Sequence, residues 1–362
     1  MNNSEIFHNE TTYLGGRFDL DRADREKVKI VYGNIRDRAQ DLINAARRDV
    51  PSLPEIHFDF ILNGAINAVA FKSNERYFIG FNTGTIFLLR CVIGRMLSDS
   101  RAFKHVGNPE VERGDLKPLE DYVPDAEMMY KKSTLLTPKD PIRRAYADFL
   151  QDQAIMFLVG HELTHIIHGH VDYLRAQRGQ KQTAELGGLK NRDQQERLER
   201  QCIELDADRR SIVSRIDSLR FTFDDANAPN PPWRGKVQHP VEMVFDWAIS
   251  IDILIRLFGD LSFSRTEAVD SAYPPLLLRD AMFFSAAAST IGEIWGAETQ
   301  PYAIQALKRA RVETEMAFSV AARGIGLSVL DPEFVREGPL HLEVLNRHWM
   351  TLRELLEPYE FH

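Results

Sequence analysis

The 362-residue sequence predicts an α+β fold dominated by helices, with a small sheet packed over a long buried helix. Three observations point there. Apolar residues recur at helical spacing over most of the chain. Strand-like alternation is confined to one stretch, residues 56–82. No internal repeat or low-complexity tract interrupts the pattern. The composition is 44% hydrophobic and 27% charged, which supplies ample material for a core. A single domain over residues 1–362 is the expected organisation.

Taken in order, residues 1–25 are polar and are expected to be a flexible N-terminus. Residues 26–49 carry apolar side chains at helical spacing and stop at Pro51 and Pro54. Residues 56–98 should form the sheet and one helix. IHFDFIL alternates, as does AVAFKSNERYFIGF around a turn at Ser73-Asn74, and TIFLLRCVIGRML then reads as helical. Residues 99–140 are rich in Pro, Gly and charge and read as a long excursion. Asp140-Pro141 opens a helix, with proline in its first turn, that runs on through HELTHIIHGHVDYLRAQ. Residues 178–195 read as a surface loop. ERLERQCIELDADRRSIVSRIDSL is a second helix, so both helices of interest fall within 141–215. FDDANAPNPPWRGKVQHP ends it. Residues 240–362 form a helical C-terminal half, with segments near 240–258, 275–297, 301–322 and 339–357.

Composition removes several function classes. The net charge is −8, which disfavours nucleic acid as a partner. Two cysteines, Cys91 and Cys202, make neither a disulfide framework nor a zinc knuckle. The N-terminus lacks a basic start followed by an apolar run. No stretch reaches about eighteen uninterrupted apolar residues. Arg90, Glu293, Asp246 and Asp252 interrupt the nearest ones. A soluble, cytoplasmic protein with no membrane partner is the expectation.

The chemistry concentrates in HELTHIIHGH, residues 161–170. His161 and His165 are four apart, so a helix presents both imidazoles on one face. Two ring nitrogens so placed can reach one Zn²⁺ at about 2.0–2.1 Å. Glu162 is badly directed to be a ligand, but it can take a proton from a water at the ion. The competing reading is a polar helix that spells HExxH by chance. A catalytic zinc site wants a third protein ligand and an open fourth position. The metzincin spacing fails, because Val171 stands where a third histidine is needed and His168 where a glycine is. QCIELDADRR supplies the alternative. Glu204 and Asp208 share a helix face, Glu204 as ligand and Asp208 as acceptor of the outer N–H of a ligand histidine. An acidic solvated face is the bland reading, and Ile203, Leu205 and Ala207 weaken it.

HExxH followed by ExxxD on a later helix resembles the gluzincin peptidases, and within them the HtpX-like group. That group's active helix commonly reads HExxHxxxGH, and here Gly169-His170 is in place. Its second motif commonly reads ExEAD, and here ELDAD has Asp206 in place of a glutamate. Asn67-Ala68-Val69-Ala70 is similar to an N-A-x-A run on a strand bordering the cleft. Tyr273-Pro274-Pro275-Leu276 with Arg279 is similar to HPPxxxR, with tyrosine replacing histidine. The likeness covers roughly residues 60–98, 145–171, 200–212 and 270–285; the two zinc motifs are specific and the other two weak. The absence of membrane spans excludes the membrane prenyl-protein peptidases of that group. Soluble relatives fit better, including the Lit-type phage-exclusion peptidases, cytosolic bacterial enzymes that cleave a translation factor upon phage infection.

The resemblance implies a gluzincin-like fold and one Zn²⁺ per chain. It also implies a peptide or protein substrate bound by strand addition, with Asn67 and Ala68 in the edge Ile66–Phe71. The oxyanion needs a further donor, for which Tyr273, Arg279 and His239 are candidates. Arg279 could equally pair with an acid near the active helix, and His239-Pro240 could equally open a helix. His168 and His170 are read as packing or hydrogen-bonding beside the site rather than as a second metal site. A Cys202 thiolate on the zinc is disfavoured. ERLER is read as a solvated face. The loops at 99–140 and 178–195 are where lids or a regulatory partner would act. The expected activity is therefore a soluble zinc endopeptidase using Glu162 as base, then acid. The competing class is a zinc-binding regulatory or sensor protein without turnover, which would have no need of Glu162.

Overall fold

The computed structural model describes residues 1–23, 26–117, 135–179, 182–184, 193–225, 229–234, 237, 239–259, 261–321 and 331–362. Alternating residues make a mixed sheet: β1 (Ile56–Ile61), β2 (Ala68–Ser73), β3 (Arg76–Asn82) and the short β4 (Gln182–Ala184), in the order β1-β3-β2-β4. β1 runs parallel to β3, and β2 is antiparallel to both β3 and β4. The hairpin loop is Asn74-Glu75, one residue later than expected, because Ser73 still pairs with Arg76. Both loop residues adopt positive φ, 47° and 57°, as a two-residue hairpin turn requires.

Period two then divides the sheet's side chains. Ile56, Phe58, Phe60, Ala68, Ala70, Tyr77, Ile79 and Phe81 join the main helical core. Ile61, Val69, Phe71 and Phe78 face the other way and pack against Ile6 and Phe7. These two belong to α1 (Asn3–Thr11), so the N-terminus is not loose as expected. Asn2 and Glu5 form a reciprocal cap at its start, and the two apolar residues cover a sheet face that water would otherwise meet. Beyond α1 the chain lies along the free edge of β1, with Phe18 N–H donating to Phe60 O and Leu62 N–H to Gly16 O, both at 2.8 Å.

The helices follow: α2 (Glu26–Asp49), α3 (Thr83–Leu97), α4 (Pro141–Ile167), α5 (His170–Arg178), α6 (Gln194–Asp224), α7 (Pro240–Phe258), α8 (Arg265–Asp270), α9 (Leu276–Trp295), α10 (Gln300–Ala321) and α11 (Pro332–Leu356). Asp140 caps α4 by accepting from Ile142 N–H and Arg143 N–H, with Pro141 at the first position. The six residues Ala154–Val159 are all buried, so α4 is apolar all round and runs through the interior. It touches β2, β3, α2, α3, α5, α6 and α7. Three expectations need correction. The helix expected to continue to 177 breaks at His168-Gly169, where Gly169 takes φ 69°. The last helix starts at Pro332, not near 339, and carries Pro339 inside it. The short α8 was not anticipated, because six polar-rich residues give no usable period.

Of the two expected loops, residues 118–134, 180–181 and 185–192 lie outside the described residues. The described start of the first is ordered around Arg143 of α4. This buried guanidinium donates to five main-chain carbonyls, those of Leu97, Asp99, Ala102, Phe103 and Val106, at 2.8–3.0 Å. Among the described residues, no helix is long and apolar enough to cross a membrane.

Candidate metal centre

α4 and α6 pack side by side at the motifs. His161, His165 and Glu204 meet there, all buried. His161 Nε2 lies 3.0 Å from His165 Nε2 and 3.4 Å from Glu204 Oε2. His165 Nε2 lies 3.8 Å from the same oxygen. Two ligands of one tetrahedral zinc at about 2.0–2.1 Å stand about 3.3–3.4 Å apart. The three observed separations bracket that value, so the donor set fits a single ion.

The outer nitrogens fix the tautomers. Asp208 Oδ1 lies 2.9 Å from His161 Nδ1. An ionised carboxylate only accepts, so Nδ1 carries the hydrogen and the Nε2 lone pair points to the shared centre. Arg279 reaches Asp208 through two donors, Nε to Oδ2 at 2.8 Å and Nη2 to Oδ1 at 2.7 Å. Burial alone would raise the Asp208 pKa, but Arg279 and His161 outweigh it and hold the carboxyl well below the usual range. Burial drives the His165 pKa well below its ordinary value, so the imidazole is neutral, the form a cation requires. His165 Nδ1 lies 3.0 Å from Nδ1 of His170. Arg200, one turn before Glu204, is buried with Nη1 3.9 Å from Glu204 Oε1.

No known protein family, curated protein or solved structure matches the chain. The site therefore speaks through its own geometry. Glu162, next to His161 on α4, is buried. Asn67 and Ala68 precede and open β2, which packs on α4. Asn67 O accepts from Asn82 N–H at 3.1 Å and from the Thr85 hydroxyl at 2.9 Å. Ala68 N–H donates to Asn67 Oδ1 at 3.0 Å. The expected free edge at Ile66–Phe71 is not observed: β2 is an inner strand, paired with β3 on one side and, over Val69–Phe71, with β4 on the other.

The other candidates have partners of their own. Arg279 binds Asp208. His239 caps α7, its Nδ1 accepting from Val241 N–H at 3.2 Å. Tyr273 lines a cavity of about 490 Å³ with Ser262, Glu267, Asp270 and Pro274, among others, a lining without any of the three ligand candidates. Burial pushes the Cys202 thiol up to about 12, and its Sγ lies 3.4 Å from Leu345 O, so it is not a thiolate. Glu199 and Arg200 of ERLER are buried, not solvated. His170 lies beside the site as expected, but that it meets His165 itself was not legible, because that contact depends on the break at Gly169. The proximity of Arg200 to Glu204 was legible from their four-residue spacing.

Proposed function

We propose that the chain is a zinc-dependent endopeptidase of gluzincin type, with His161, His165 and Glu204 holding the ion. The supporting observation is the convergence of two lone-pair-bearing imidazoles and a carboxylate within 3.8 Å of one another, beside a buried glutamate at the adjacent position. A zinc ion in that set supplies Lewis-acid polarisation of the scissile carbonyl and makes a nearby water more acidic. Glu162 takes a proton from that water as its oxygen bonds to the carbonyl carbon. It then passes the proton to the amine nitrogen as the C–N bond breaks. Arg279 and Asp208 keep His161 in the ligating tautomer, and His170 keeps His165 turned. The sequence candidates for the oxyanion donor stay Tyr273, Arg279 and His239, of which Arg279 binds Asp208 and Tyr273 lines a cavity without the three ligand candidates. A peptide that adds to β2 over Val69–Phe71 does so in place of β4.

The test pairs metal content with turnover. Wild-type protein and Glu162→Gln, dialysed at low free zinc, should retain about one zinc per chain, and His161→Ala and Glu204→Ala little. Glu162→Gln should cleave a fluorescent casein roughly 10²–10⁴-fold more slowly than wild type. Wild-type protein that holds no zinc after add-back removes the reading. Equal metal and equal turnover in Glu162→Gln removes the role of Glu162.

A further inference from the structure

A second group of ligand-type side chains stands behind the first. His168 Nδ1 is 2.8 Å from Asp206 Oδ2, and His170 Nε2 is 3.6 Å from the same oxygen. One donor atom from each of the three lies within 4.8 Å of the others. His170 is completely buried, yet its Nε2 makes no hydrogen bond. A buried ring nitrogen without a partner is destabilising, and this one is aimed at a carboxylate oxygen just beyond bonding reach. Arg210 Nε approaches the other oxygen, Asp206 Oδ1, at 3.7 Å, which leaves Oδ2 for the two imidazoles. The His168 side chain is 20% exposed, so the group is open to solvent on one side, as a site that exchanges its ion must be.

We infer that His168, His170 and Asp206 form a second divalent-cation site, weaker than the first, for the zinc, cobalt or nickel class that two imidazoles and a carboxylate favour. The opposite faces of the same rings tie it to the first site. A neutral imidazole that gives Nε2 to a cation carries its hydrogen on Nδ1. His165 does so at the first site and His170 at the second. Their Nδ1 atoms are 3.0 Å apart, and two N–H groups cannot face each other at that distance. Filling both sites therefore forces the rings apart and loosens the first ion. The site itself stands without the peptidase reading, and only this antagonism rests on the first site being filled.

Equilibrium dialysis against a series of free zinc concentrations, with elemental analysis, tests both parts. Wild-type protein should bind one zinc at low free zinc and approach two at higher concentrations. His168→Ala and Asp206→Asn should stop at one, and His161→Ala should keep only the weaker step. Exchange of pre-bound isotopically labelled zinc should quicken several-fold with added zinc in wild type and stay flat in Asp206→Asn. His168 is part-exposed, so its alanine variant keeps the test valid if Asp206→Asn folds poorly, as judged by circular dichroism. Saturation of wild type at one zinc that both substitutions leave in place overturns the inference, as does a second zinc that survives both substitutions. If His161→Ala alone leaves stoichiometry unchanged, the first site fails and the second stands.

Discussion

At the scale of single residues, Asp208 joins the Arg279 guanidinium to a candidate metal ligand. It accepts from His161 on one side and binds Arg279 in a fork on the other. Partners that orient a ligand histidine are typically worth about 10–100-fold in metal affinity. Arg279→Met and Asp208→Asn should each weaken zinc binding in that range, measured by competition with a chromophoric chelator. Arg279→Lys should fall between, because an ammonium cannot reproduce the two-donor fork. Unchanged affinity in all three would mean that His161 needs no orientation. The clustering of His161, His165, Glu204 and Asp208 was legible because four-residue spacing on a helix is a local property. That Arg279 could pair with an acid near the active helix was legible; that the acid is Asp208 was not, since it lies 71 positions away and only packing of α9 on α6 brings it there.

Among the elements, the break after α4 decides what the last motif residue can do. On an uninterrupted helix, residue 170 would stand about 140° around the axis from residue 165. The left-handed turn at Gly169 instead returns His170 behind His165. A Cβ at 169 would lie 2.5 Å from the carbonyl carbon of Tyr359. Gly169→Ala should thus cost about 1–3 kcal/mol from backbone conformation alone, seen as a lower urea midpoint, with weaker zinc binding as His170 is displaced. A wild-type midpoint would remove that account. In α7, burial foremost, with Asp280 adding and Arg256 opposing, raises Asp252 from 3.8 to about 6. The folded state then holds this proton more tightly than the unfolded one. Its contribution is complete below about pH 4 and lost as pH rises through about 6. Urea melts should show wild type losing more stability than Asp252→Asn between those limits, and parallel curves would contradict the assignment.

Across the whole molecule, the sequence makes the helical and strand regions legible because amphipathic period is written residue by residue. Asp140-Pro141 marks the start of α4, and the alternation at 56–82 marks the sheet. What covers the sheet was not legible. Ile6 and Phe7 look unremarkable in a polar N-terminus until Phe71 and Phe78 are known to need a lid. The reciprocal cap of Asn2 and Glu5 was the one local sign that could have revealed α1. Nor does three-residue β4 announce itself, because its strand character exists only in pairing with β2.

On the proposed peptidase reading, β4 would act as a gatekeeper drawn from the same chain. A peptide that adds to β2 over Val69–Phe71 must first dislodge it. One main-chain ladder is then traded for another, and the net gain from those bonds is close to nil. The measured dissociation constant becomes the intrinsic one divided by the fraction of molecules in which β4 has let go. On that reading, any factor that detaches β4 would raise affinity for every peptide alike, without touching the candidate metal ligands.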